Sequence, residues 1–127
     1  MRSIILAIDV GSSAIGCTGY EYNGIEPAKP VNGVSHTIPV STVIASTGNI
    51  RIHEVLAAID NCIDNTLQLL RLHMPDPCYQ VIAIGFTSFM MNLVAVDIHG
   101  DPVGEAATCS DMCDREEVVL ECQHLRE

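Results

Sequence analysis

Tryptophan is absent from this 127-residue chain, lysine occurs once, at Lys29, and aromatic residues make up only 4% of it. Positive charge is scarce as well, with six lysines and arginines against sixteen acidic residues, for a net charge of −10. Arg2, Lys29, Arg51, Arg71, Arg115 and Arg126 are scattered rather than clustered. Neutralising a phosphate backbone takes clustered Lys and Arg, so nucleic acid is not expected as a partner. An anionic membrane surface is disfavoured for the same reason. Long apolar runs are missing too: residues 4–8 are interrupted by Asp9. That is too short for a signal-peptide core and far short of the ~20 residues that span a bilayer. There is no internal repeat and no G-x-G-x-x-G pattern, and no helix is predicted after the first strand, which sets the chain apart from dinucleotide-binding folds.

What is present is apolar side chain. Hydrophobic residues make up 48% of the sequence and the mean hydropathy is +0.29, which excludes a disordered chain and gives material for a core. The six cysteines, Cys17, Cys62, Cys78, Cys109, Cys113 and Cys122, accompany no secretory signal, and reduced thiols in a cytoplasmic protein are predicted.

Residues 4–10 (IILAIDV) read as a buried strand, and residues 14–22 as the return strand of a hairpin beyond Gly11, Ser12 and Ser13. Asn23-Gly24 is a turn signal. Residues 26–33, with two prolines, predict an irregular loop, and residues 36–45 a third strand. Val55, Ile59, Cys62, Thr66 and Leu69 or Leu70 recur at three- and four-residue spacing and predict a helix over 53–72, ended by the Pro75 and Pro77 segment. Residues 80–85 predict a buried strand, 93–97 another, and 99–102 a turn. Asp114 with Glu117 is a capping-box pattern that opens a last helix. The order of elements predicts an α/β or α+β core with a covered sheet.

Asp9-Val10-Gly11-Ser12-Ser13 is the most suggestive local feature. A carboxylate at the end of a buried strand is costly unless paired, and a hydrated Mg²⁺ is one partner. Gly11 admits close approach of a phosphate, and Ser12 and Ser13 add hydroxyls and N–H groups in an anion-binding turn that needs no lysine. The plainer reading of the same residues is a Gly-Ser hairpin with Asp9 exposed. Cys109, Cys113, Cys122 and His124 suggest zinc, but their spacing is not C-x-x-C, and on a helix Cys122 and His124 point about 200° apart. Cys109 and Cys113 as ordinary small residues are the simpler account. Cysteine nucleophile chemistry with His36 or His99 as base has no supporting motif.

The position of the Asp9–Ser13 turn, after a first strand that starts at residue 4, resembles the first phosphate-binding motif of actin-like sugar kinases. Residues 80–103 resemble the FGGY carbohydrate kinase pattern of a strand "IxAIGxS", a substrate loop, an apolar strand and "DxxGxPL". Residues 47–56 resemble the family's approach to its first helix, and residues 108–111 fall where the family has "xWxDxR". The resemblance covers most of residues 4–115 in order and is to gluconokinase-like or xylulokinase-like members; its Thr87-Ser88-Phe89 segment is slightly closer to gluconokinase-like members than to glycerol kinases.

The resemblance implies a ribonuclease H-like (actin-like ATPase) mixed sheet with flanking helices, and an enzyme that moves the γ-phosphate of ATP to a hydroxyl of a sugar, sugar acid or polyol. Asp9 would hold Mg²⁺, and Gly11, Ser12 and Ser13 would face the phosphates. Met90, Met91 and Asp111 would lie on the substrate side. The family's catalytic aspartate and adenosine-binding motifs fall beyond residue 127, so residues 1–127 are expected to be the N-terminal portion of the first domain, with no catalytic residue of their own. An incomplete domain should expose sheet surface and self-associate. The sequence departs from the family at Met91 (a sugar-contacting His), Cys109 (Trp), Cys113 (Arg) and Gly16 (often Arg), and the alternative to a kinase fragment is a kinase-like binding domain without phosphotransfer.

Overall fold

In the computed structural model, residues 1–42, 50–75, 78–88 and 93–106 are described. The chain divides into two compact units, Met1–Val43 with His53–Phe89, and Ile44–Ile52 with Met90–Glu127. The first carries four strands and a helix: β1 (Arg2–Val10), β2 (Ala14–Tyr22), β3 (Lys29–Pro39), a 3₁₀ turn (Val40–Thr42), α1 (Ile52–His73, whose first residue belongs to the second unit) and β4 (Tyr79–Thr87). The sheet order is β3-β2-β1-β4. β1 pairs antiparallel with β2 from Ser3↔Tyr22 to Val10↔Ile15, and parallel with β4 from Arg2↔Tyr79 to Asp9↔Thr87. A parallel neighbour requires a crossover, and α1 supplies it.

Alternation in β1 sends Ile4, Leu6, Ile8 and Val10 to the face that also buries Ile15 and Cys17 of β2 and Val34 of β3. α1 covers this face with Val55, Ala58, Cys62, Thr66 and Leu70. The match is one of lengths: four helical residues rise ~6 Å and two strand residues ~6.6 Å, so α1 and β2 keep step. Cys62 Sγ donates to the Ile15 carbonyl at 3.4 Å, Thr66 Oγ1 donates to the Cys17 carbonyl at 3.1 Å, and a Cβ built on Gly19 would lie 3.7 Å from Leu70. α1 therefore runs with β2 and against β1 and β4. Gly19 is required by close approach, since its Cβ would also stand 2.9 Å from Val34 Cγ1.

Several expectations need correction. The third strand begins at Lys29, inside the stretch predicted as loop, and ends at Pro39. Its irregularity is confined to a register shift opposite Thr18 and Tyr20, where Gly33 takes a φ of 76°. In the helical stripe Ala58 is buried in place of Ile59, while of the two leucines offered at its end Leu70 is the buried one. β4 is a strand as predicted but is not buried: Ile82, Ile84 and Phe86 are 47%, 56% and 76% exposed. Residues 93–97 do not form a strand. Among the described residues of the second unit, Val96↔Pro102 and Ile50↔Ala106 are isolated bridges. The turn at 99–102 is present, with Gly100 at φ 85° and the Asp97 carboxylate accepting the N–H groups of His99 and Asp101 at 2.8 and 3.0 Å. The capping-box helix at Asp114 lies outside the described residues. At the β2–β3 connection, Asn23 Oδ1 accepts the N–H groups of Ile25 and Glu26 at 3.0 and 2.9 Å, and Gly24 has φ 84°.

Among the described residues no helix is long and apolar enough to cross a membrane. Cys17, Cys62 and Cys78 are free thiols.

Candidate functional site

Because β1 and β4 are parallel, their carboxyl ends fall side by side, the position at which α/β sheets bind ligands. Asp9 is the penultimate residue of β1 and Thr87 the last of β4. β-Branched and apolar neighbours force both segments into strands, and the pleat then puts Asp9 on the face opposite Ile8 and Val10. There the carboxylate is exposed, and its Oδ1 accepts a hydrogen bond from Thr87 Oγ1 at 2.8 Å.

The chain reverses directly beyond. Gly11 N–H donates to the Ala14 carbonyl at 2.9 Å, leaving Ser12 and Ser13 as an exposed two-residue tip. Val40 N–H donates to the Ser13 carbonyl at 3.0 Å, which ties the tip to the 3₁₀ turn. Gly11 does not take a positive φ; its smallness is needed for space. A Cβ there would lie 3.1 Å from the Ala14 carbonyl oxygen and 3.9 and 4.0 Å from the two Asp9 carboxylate oxygens.

On the same side of the sheet lies an open depression of about 280 Å³, lined by Ala7, Asp9, Ala14, Gly16, Thr18 and Thr37, among others. Gly16 is the cross-strand partner of Asp9, so no side chain, and in particular no cation, stands opposite the carboxylate. Among the described residues Asp9 makes no ion pair; the pairs Arg2–Glu21 at 3.6 Å and Lys29–Glu26 at 2.7 Å lie elsewhere.

The donor set fits a hydrated Mg²⁺ bound with a nucleotide phosphate. It offers one exposed hard-oxygen ligand whose Oδ2 is not taken up by the Thr87 bond, and a glycine beside it. No group of three or more His, Cys, Asp or Glu side chains able to hold a metal by themselves occurs among the described residues.

Of the residues singled out by sequence, Asp9, Gly11, Ser12 and Ser13 are thus brought together at one end of the sheet. Met90, Met91 and Asp111, and the cysteine–histidine group Cys109, Cys113, Cys122 and His124, lie outside the described residues. His36 is on β3 and His99 in the turn of the second unit. Sequence reasoning placed Thr87 in the substrate segment and missed its bond to Asp9, because the two are 78 residues apart and joined only by the β1–β4 register.

No protein-family model and no curated protein matches the sequence. Solved structures do. A gluconate kinase from Lactobacillus acidophilus aligns over 98% of this chain and 23% of its own, with 19% identity and a TM-score of 0.69. A ligand-bound xylulose kinase from the same organism aligns over 96% of this chain and 22% of its own, with 19% identity and a TM-score of 0.67. A Plasmodium falciparum glycerol kinase with ADP aligns over 97% and 23%, with 19% identity and a TM-score of 0.61. The fold is therefore the mixed-sheet, actin-like ATPase fold of these sugar kinases. The chain spans less than a quarter of the length of each of them.

Proposed function

We propose that this chain is the opening portion of the first domain of an FGGY-type carbohydrate kinase, and that its part in phosphoryl transfer is to hold the metal-bound phosphates of ATP. The observation that carries this reading is the Asp9–Ser13 hairpin: an exposed carboxylate and a small, open turn at the joined carboxyl ends of β1 and β4, in a fold shared with gluconate, xylulose and glycerol kinases.

The chemistry asked of these residues is positioning and charge neutralisation. Asp9 would hold Mg²⁺ through its water shell, Gly11 would let a phosphate approach the backbone, and Ser12 and Ser13 would offer hydroxyl and N–H donors. Mg²⁺, when bound, neutralises charge on the phosphates. The acceptor would be a sugar, sugar acid or polyol hydroxyl, with Met90, Met91 and Asp111 on that side. A carboxylate outside these residues would take the hydroxyl proton. On this reading the protein is cytoplasmic, where ATP is at hand, and binds neither nucleic acid nor membrane.

The test is calorimetric titration of the chain with Mg·ATP, beside Asp9→Asn. Millimolar or tighter binding that needs Mg²⁺ and weakens about tenfold or more in D9N supports the proposal, in line with loss of a charged ligand. No binding, or binding indifferent to the substitution, overturns it and leaves residues 9–13 an ordinary hairpin.

A further inference from the structure

We propose that Thr87 is a positioning residue for the metal-binding carboxylate, its hydroxyl fixing Asp9 Oδ1 and leaving Oδ2 for the cation. The inference rests on the function proposed above and adds to it a residue contributed by a different strand.

Three observations carry it. Asp9 and Thr87 are register partners on adjacent parallel strands, so their side chains leave the same face of the sheet next to each other. The Oγ1–Oδ1 separation of 2.8 Å is that of a hydrogen bond from a hydroxyl to a carboxylate. On the other flank Asp9 faces Gly16, which has no side chain to brace it. An exposed aspartate otherwise turns freely about two torsions, and any ligand it holds must first arrest them. A hydroxyl bonded to one oxygen arrests them in advance without consuming the charge, and directs the remaining oxygen. A lysine or arginine in the same place would fix the carboxylate equally well but neutralise it, and so compete with the cation.

The role makes demands that simple packing does not. A serine at position 87 keeps the hydroxyl and should serve, whereas an isosteric valine should not. Thr87 is exposed at the end of an edge strand, so neither change threatens the core.

The experiment compares wild-type chain, Thr87→Val, Thr87→Ser, Thr87→Ala and Asp9→Asn. Binding of Mn²⁺·ATP is read by electron paramagnetic resonance. In the absence of metal and nucleotide, the Asp9 rotamer is read from three-bond couplings to its carboxyl carbon. The expected result is a loss of about three- to tenfold in Mn²⁺·ATP affinity in T87V and T87A, the range of one net hydrogen bond. T87S should restore wild-type affinity. The Asp9 couplings should report one rotamer in wild type and T87S, and averaging in T87V. Wild-type affinity in T87V beside a clear loss in D9N would overturn the positioning role and leave the proposed function standing, as would an Asp9 rotamer indifferent to T87V. If wild type binds no Mn²⁺·ATP, the proposed function fails and this role with it.

Discussion

The hydroxyl of Thr66, on the buried side of α1, donates to the main-chain carbonyl of Cys17 in β2 at 3.1 Å. Thr66 is fully buried and is the one buried polar side chain among the described residues. Its hydrogen-bonding capacity is met by the sheet rather than by its own helix, so the bond fixes the register of α1 along β2. Thr66→Val, which keeps the shape and removes the donor, is expected to destabilise the fold by about 1 kcal/mol. The shift of the urea midpoint at unchanged slope measures it.

Gly19→Ala is expected to be costlier than its size suggests. The new Cβ would stand 2.9 Å from Cγ1 of Val34, a fully buried, β-branched side chain with little rotamer freedom. Overpacking of this kind costs ~1–3 kcal/mol. Combining it with Val34→Ala should recover part of that loss, so the double variant should be less destabilised than the sum of the two singles. A double-mutant cycle by chemical denaturation checks the coupling.

Gly33→Ala tests a different cause. Its φ of 76° is unfavourable for an L side chain, and the Cβ would also meet His73 Nε2 at 2.8 Å. About 1–2 kcal/mol of destabilisation is expected from the backbone alone. Because His73 is exposed, its ring can yield, and adding His73→Ala should relieve little of the cost. Complete relief by His73→Ala would show that the contact, and not the backbone, dominates.

Burial pushes the Cys17 thiol above its ordinary value of 9.0, an effect partly offset by the Thr66 hydroxyl beside it. Burial likewise raises Cys62, and the neighbouring Cys17 adds to the rise. In the unfolded chain both thiols ionise at the ordinary value, so the folded state holds the protons more tightly. The stability this confers is present in full below pH 9.0 and falls as the pH rises past it toward the raised folded values. Stability curves from pH 7 to 10.5 should therefore decline at the alkaline end, and Cys62→Ala should make the decline shallower. In the native state at pH 8, alkylation mapped by mass spectrometry should modify exposed Cys78 and spare Cys17 and Cys62.

The first hairpin was legible in the sequence because each of its signals is local. A β-branched apolar run defined residues 4–10 and a weak alternation residues 14–22, Gly11 to Ser13 marked the reversal, and the spacing of Val55, Ile59, Cys62, Thr66 and Leu69 or Leu70 marked the helix. Burial of β4 was not legible. An apolar run such as YQVIAIGFT states that a strand suits packing on both faces, and says nothing of whether neighbours stand there. The run at 93–97 misled for a related reason: β-branched residues favour extended backbone, but a strand needs a partner edge. Proline at 30 obscured the early start of β3, where it sits within a strand at the edge of the sheet, the place such strands tolerate it. At the candidate site, Asp9 to Ser13 were visible as a contiguous motif. Thr87 was not, because nothing near it in the chain distinguishes a threonine that will lie beside a distant carboxylate.

The parallel pairing of β1 with β4 has a bearing on synthesis. As the chain leaves a ribosome, β1 meets its antiparallel neighbour β2 within a few residues, but must wait for α1 and all of β4 before its other edge is filled. In a nascent chain the hairpin can therefore exist with its aspartate still untethered, and the carboxylate gains a fixed direction only when translation has passed residue 87.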